Sequence, residues 1–250
     1  MAVVAERLVV LADTVRVIYH RSRLQDTTAG HGRMLAAGIT PQEARQMIGD
    51  LGDRVHITAI NSPGLVTLGG DTAPLELIGA RLEREGRFMR WLKVNYAFHT
   101  HQMDPLREEL LDSLASIQPQ AGHIPFLSTV TGGLFPGEQL DATYWWNNVR
   151  RPVLFEPAIK KSIQSGATVF LEVGAHPAMQ SSLNECLAAQ HTEGRVLHSL
   201  ARKTDESLNL MSNLERFHTW SLHIESPARN RLPRAHFLAP KGPDSIAQGK

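Results

Sequence analysis

"MLAAGITPQEARQMIGDLGDRVHITAINSPGLVTLGGD", Met34 to Asp71, decides the fold. Its first six residues, Met34 to Ile39, are the short apolar run of a buried strand. Thr40-Pro41-Gln42-Glu43 then starts a helix. Threonine accepts from the backbone, proline suits the first helical position, and glutamate closes a capping box. The spacing carries that helix to about Asp50. Val55, Ile57 and Ala59 alternate as a strand does. Asn61-Ser62-Pro63-Gly64 breaks it, Leu65 to Gly70 forms the next strand, and Asp71 is placed to cap another helix.

Working outward, Leu75, Ile78 and Leu82 make that helix's apolar stripe, and "GRFMRWLKV" (Gly86 to Val94) reads as one more strand. The order from Met34 to Val94 is β-α-β-β-α-β, the ferredoxin-like unit of two helices on one sheet. Upstream, Leu8, Leu11, Val15 and Ile18 recur at helical spacing and predict an amphipathic helix. It starts at Met1 with no capping residue before it, and Glu6, Arg7 and Asp13 interrupt what would otherwise resemble a signal peptide. Downstream, Asp104-Pro105 predicts a helix with Leu106, Leu110, Leu111 and Leu114 inward. "IPFLSTV" (Ile124 to Val130), "ATVFLEV" (Ala167 to Val173) and "RVLHSL" (Arg195 to Leu200) read as strands alternating with helices, the pattern of a parallel sheet. That sheet is short for its apolar content, which implies uncovered surface. From about Asp205 the pattern weakens, although "LERFHTWSLHI" (Leu214 to Ile224) has helical character, and the proline- and charge-rich end reads as a linker and disordered tail.

Lysine plus arginine total 26 and aspartate plus glutamate 25, so net charge gives no argument for nucleic acid or an anionic membrane. No apolar run reaches the roughly 18 residues of a membrane span. The single cysteine, Cys186, excludes an internal disulfide framework, fits a reducing, cytoplasmic setting, and sits where a helix core is expected.

Chemistry centres on "YAFHTHQMDPL", Tyr96 to Leu106. His99 lies where the small unit's last strand leaves for the second unit, a good place for a general base. With 12 histidines in the chain, a histidine bonded only to backbone is the plainer reading. His101 has the same two readings and could simply help start the helix. No G-x-S-x-G elbow, metal-ligand spacing or phosphate loop accompanies them, and Ser22, Ser62, Ser113 and Ser128 lack a nucleophile's context. Arg21 and Arg23 end the first helix. They either complement its C-terminal dipole or present a guanidinium fork to a carboxylate.

Seven stretches in order carry a resemblance: Arg21-Ser22-Arg23-Leu24-Gln25, "AGHGRM", "AINSPGLVTLGGD", "YAFHTHQMDPL", "STVTGG", "YWWNNVRRPVLF" and "FLEVGAHPAM". The chain resembles the acyltransferase domains of modular polyketide synthases, the malonyl-CoA:acyl-carrier-protein transacylase family. The resemblance implies an α/β fold, an incomplete α/β-hydrolase-like parallel-sheet subdomain with an inserted ferredoxin-like subdomain. The implied division is residues 1–33 and 99–205 for the large subdomain, 34–98 for the small one, and 206–250 for a linker and tail. By resemblance His99 is the base of a serine–histidine dyad and Arg21 grips the malonyl carboxylate, a bond worth roughly 1.5–3 kcal/mol. Phe98 implies malonyl rather than methylmalonyl selection, while Tyr96 stands where the malonyl-type pattern has histidine. Thr100 replaces the common serine and Ala175 a proline. Asn61 and His176 match positions that line or brace the site. The implied substrate is malonyl-CoA, with no bound cofactor, and the acceptor is the phosphopantetheine thiol of an acyl carrier protein. The family's "GHSxGE" elbow would fall just before Met1, so the expectation is a chain without its nucleophile, inactive alone. The first reading is a fragment of a polyketide synthase's acyltransferase; the alternatives are a noncatalytic module docking a carrier protein, a ketosynthase or other synthase modules, or half of a split domain completed by a partner chain.

Overall fold

The computed structural model describes residues 11–224. Helix α1 spans Leu11–Asp26, and strand β1 (Arg33–Ala37) follows. Next come α2 (Pro41–Ile48), β2 (Val55–Ser62), β3 (Leu65–Gly70), α3 (Thr72–Arg84) and β4 (Met89–Trp91). The β-α-β-β-α-β order is therefore present, with its last strand cut to three residues. The strands pair antiparallel in the order β4-β1-β3-β2. Leu35, Val66 and Leu68 from the sheet close on Ala44 from α2 and on Leu75 and Leu82 from α3.

The capping box forms as the sequence requires. Glu43 N donates to Thr40 Oγ1 at 3.2 Å, and Thr40 N donates to Glu43 Oε2 at 2.7 Å. Thr40→Ala is expected to cost about 1 kcal/mol, read as a lower urea midpoint with unchanged slope. An unchanged midpoint would show that the cap contributes nothing.

The alternation expected of Val55, Ile57 and Ala59 is not kept. Register shifts fall between Ile57 and Ala59 and between Ile60 and Ser62. An extra residue on one strand turns the following side chains over, so the buried positions of β2 are Val55, Thr58 and Ser62.

The second stretch begins with a 3-10 turn, His101–Leu106, and runs into α4 (Arg107–Leu114). The helical path thus starts before Asp104-Pro105, capped by Thr100. Leu106, Leu110 and Leu114 are buried as expected. Short strands β5 (Leu127–Ser128) and β6 (Gly133–Leu134) pair with each other, so only two residues of "IPFLSTV" are strand. Helix α5 spans Ala142–Arg150, β7 is Val153–Leu154, and α6 is Phe155–Gln164. Strand β7 joins the first sheet, parallel to β2, making it five-stranded. Strand β8 (Val169–Glu172), α7 (Gln180–Ala189) and β9 (Arg195–His198) form the expected parallel pair, in a separate two-stranded sheet. Cys186 is buried on α7, where burial pushes its thiol up to about 11.

Two expectations need correction. The stripe Leu11, Val15 and Ile18 does not face a core; all three are exposed, and Leu8 lies outside the described residues. Helix α1 instead packs against α4 through Val17 and Leu24, the face that the second apolar cluster covers. The segment after Asp205 is helical well before Leu214: α8 spans Glu206–Ile224, tied down by Asn209 Nδ2 donating to the Ser199 carbonyl at 2.9 Å. The remainder of the expected linker and tail lies outside the described residues. Among the described residues no helix is long and apolar enough to cross a membrane.

Candidate active site

The site forms where the small sheet hands the chain to the helical layer. Ala97 and Thr100 are buried and close a tight turn: Thr100 Oγ1 donates to the Ala97 carbonyl at 2.7 Å and accepts from Gln102 N at 3.2 Å. His99 sits at the apex with φ 62°, a left-handed conformation that histidine tolerates better than branched residues do. Its backbone N–H donates to the Val149 carbonyl on α5 at 3.2 Å. This turn fixes the imidazole by backbone bonds from two elements.

The His99 ring is drawn down to a pKa of about 4. Burial is the first cause and the positive charge of Arg21 the second, while the Arg151 backbone, bonded to the ring, pulls the other way. Nδ1 is shut off from solvent and has no hydrogen-bond partner among the described residues. The ring is therefore neutral at pH 7, as a base must be before it takes a proton.

Arg21 lies 78 positions earlier in the chain, on α1, and folding brings its guanidinium close enough to act on His99. Burial lowers the pKa of Arg21, and the group remains a cation. Arg23 is engaged elsewhere, pairing with Glu109 on α4 at 2.6 Å. The two arginines thus separate: Arg23 is a surface tie, and Arg21 faces the site. Tyr96 and Phe98 stack with ring centroids 4.0 Å apart and planes at 28°, and the Phe98 edge meets His99 at 6.4 Å. They form one apolar wall beside the imidazole.

Other expected residues are placed differently. Asn61 donates its amide to Thr67 Oγ1 across the β2–β3 hairpin at 3.0 Å. His176 is exposed and accepts from Arg202 N at 3.4 Å. Ser62 bonds the Glu185 carboxylate, and Ser128 shares a hydrogen bond with Tyr144 at 2.9 Å, where burial raises the phenol. Asp71 stands at the start of α3 without capping it through its side chain.

Asp71 is used by the site instead. Gln102 Nε2 donates to Asp71 Oδ1 and to the His31 carbonyl, both at 3.0 Å. Gly32 allows this closure, because a Cβ there would lie 2.4 Å from Gln102 Oε1 and 2.8 Å from Ala97 Cβ. The second glycine of "AGHGRM" is thereby explained by close approach. Gln102 was not singled out by the sequence; its partners lie 71 and 31 positions earlier in the chain, and only the fold brings them together.

An imidazole kept neutral beside a part-buried arginine and an aromatic wall is suited to proton transfer with an anionic substrate. The chain belongs to the acyl transferase domain family, which matches residues 1–223. The spectinabilin polyketide synthase system protein NorA' of Streptomyces orinoci is 36% identical over 217 residues, 86% of this chain and 6% of that protein. Mycoketide-CoA synthase of Mycobacterium tuberculosis is 35% identical over 179 residues, 72% of this chain and 4% of that protein. The crystal structure of the acyltransferase domain from module 8 of the salinomycin polyketide synthase superimposes with a TM-score of 0.80 at 31% identity, covering 82% of this chain and 49% of that one. The chain therefore spans a small part of these synthases and about half of the solved domain.

Proposed function

We propose that the chain supplies the base and the carboxylate-binding arginine for acyl transfer from malonyl-CoA to the phosphopantetheine thiol of an acyl carrier protein. His99 takes the proton of a serine hydroxyl, the serine oxygen attacks the thioester carbonyl, and coenzyme A leaves as the thiol. The carrier thiol then attacks the acyl-serine, releasing the serine. The single observation behind this reading is the meeting of Arg21 and His99 across 78 positions of sequence. Burial is the main depressor of His99 and the Arg21 charge the second; a malonyl carboxylate paired with Arg21 offsets that second part, so substrate binding makes the base stronger. The stacked Tyr96 and Phe98 narrow the space beside the acyl chain and favour malonyl over branched units. Strands β1 to β4 with α2 and α3 are read as the ferredoxin-like subdomain, and β8–α7–β9 as part of a hydrolase-like sheet.

No G-x-S-x-G elbow occurs in the 250 residues, so the serine in this reading comes from another polypeptide segment. Leu11, Val15 and Tyr19 on α1, with Leu171 and Val173 at β8, are apolar and uncovered by the described residues, which favours such a neighbour. Intact mass after incubation with malonyl-CoA, with and without carrier protein, is expected to show no adduct on the chain alone. Fusing the elbow-bearing upstream half of a related acyltransferase domain is expected to give a malonyl adduct. His99→Asn in that fusion slows its formation by about 10²–10⁴. An adduct on the unfused chain, or a fusion indifferent to His99, would overturn the reading.

A further inference from the structure

The turn that carries His99 is tied to the small sheet by a histidine pair. His56 Nε2 on β2 and His101 Nδ1 lie 3.2 Å apart, with ring planes at 50°. The far nitrogen of His101, Nε2, lies 3.7 Å from Asp71 Oδ1, an ion-pair distance. The carboxylate side favours a proton on Nε2 of His101, which leaves its Nδ1 as acceptor and makes His56 Nε2 the donor. We propose that His56, His101 and Asp71 are positioning residues, a proton-sensitive tie that holds the His99 turn against the sheet and lets go when both imidazoles carry a second proton.

The physical reason is donor counting. An imidazole pair keeps a donor facing an acceptor as long as one ring is neutral, whereas two imidazoliums have a proton on every nitrogen and no acceptor to offer. The first proton leaves the other ring as the acceptor, and the second leaves two donors facing each other. Protonating His56 keeps its Nε2–H but places a cation in a part-buried pocket. The surrounding charges are Asp53 before β2, Asp104 on the 101–106 turn, Arg150 on α5 and Asp71 before α3. Arg150 is paired with Asp104 at 2.5 Å, so these two largely offset each other. Across β2 the facing residue on β3 is Gly69, which brings no charge. For His56, burial and the neighbouring His101 both favour the neutral form. Its pKa is lowered in the folded chain, so the tie is complete at the ordinary histidine value of 6.5 and is lost only as pH falls through the lowered one. Gln102 then remains as a side-chain tie, through Asp71 and the His31 carbonyl, beside the His99 backbone bond to Val149.

The tie itself stands apart from acyl transfer; only its effect on catalysis rests on His99 being the base. Histidine ring ¹⁵N spectra of the 250-residue chain, recorded from pH 8 to 5, test it directly. The expected result is a proton on Nε2 in both His56 and His101, linked titration of the two, and a change in the His99 signals in step with them. His56→Gln retains an N–H donor without a titrating ring, so the His99 signals should stay in the neutral-pH pattern at pH 5.5. His56→Ala should lose that pattern at every pH and raise the carbethoxylation rate of His99 at pH 7 by roughly 2- to 10-fold, with His56→Gln unchanged. Independent titration of His56 and His101, with His99 indifferent to both variants, would overturn the proposal. Failure of malonyl transfer in the fused protein, with the linked titration intact, would count against the base assignment and leave the tie standing.

Discussion

Replacing His99 with asparagine is expected to make the fold more tolerant of acid. The folded chain holds this imidazole at about 4, below the ordinary 6.5. A group lowered by folding supports the native state above its ordinary value, and that support is lost as pH falls towards the folded one. At pH 5 the neutral native ring faces a mostly protonated unfolded one. With allowance for solvent reaching part of the ring, the difference is about 1–2 kcal/mol. Asparagine keeps a residue type that accepts positive φ and removes the titration. Urea unfolding at pH 7.5 and pH 5 should therefore show a smaller loss of stability in His99→Asn than in the parent. Equal losses would mean that the ring is not held neutral by its surroundings.

Gly70→Ala is expected to be the more damaging change, at about 3 kcal/mol or more. Gly70 has φ 153°, and a Cβ there would lie 2.0 Å from the Arg54 carbonyl oxygen. That oxygen is backbone and accepts from Asp71 N at 2.9 Å, so it has no free direction to move. Relief requires opening the Val55–Gly70 end of the β2–β3 ladder and displacing Asp71, the anchor of Gln102. The variant should show a large fall in thermal midpoint, with altered His101 and Gln102 signals wherever it remains folded. A near-normal midpoint would show that the hairpin end can relax cheaply.

Much of the small unit was legible in the sequence because its signals are local. The capping box, the proline-glycine turn and the apolar stripe of α3 each depend on residues within a few positions of one another. Arg21 and His99 each stood out locally, but their meeting did not, since nothing in spacing brings residue 21 to residue 99. The face of α1 was misread because periodicity shows that a helix has an apolar side but not which side a neighbour covers. Thr58 and Ser62 were missed as buried positions because the register shifts in β2 arise from pairing with β3. The His56–His101 pair was hidden for a similar reason, as it depends on how two separately predictable segments dock.

Strand β7 has a consequence for how the molecule reaches this arrangement. Its two residues pair with Ala59 and Ile60 from far earlier in the chain, while the β-α-β-β-α-β unit is built from near neighbours. Joining distant segments requires ordering the chain between them before any bond is gained, which slows that step. The small sheet should form before β7 joins it, and that closure fixes the chain that follows α5, whose Val149 carbonyl accepts from the His99 backbone. The left-handed turn at His99 is then among the last features to gain all its bonds during folding.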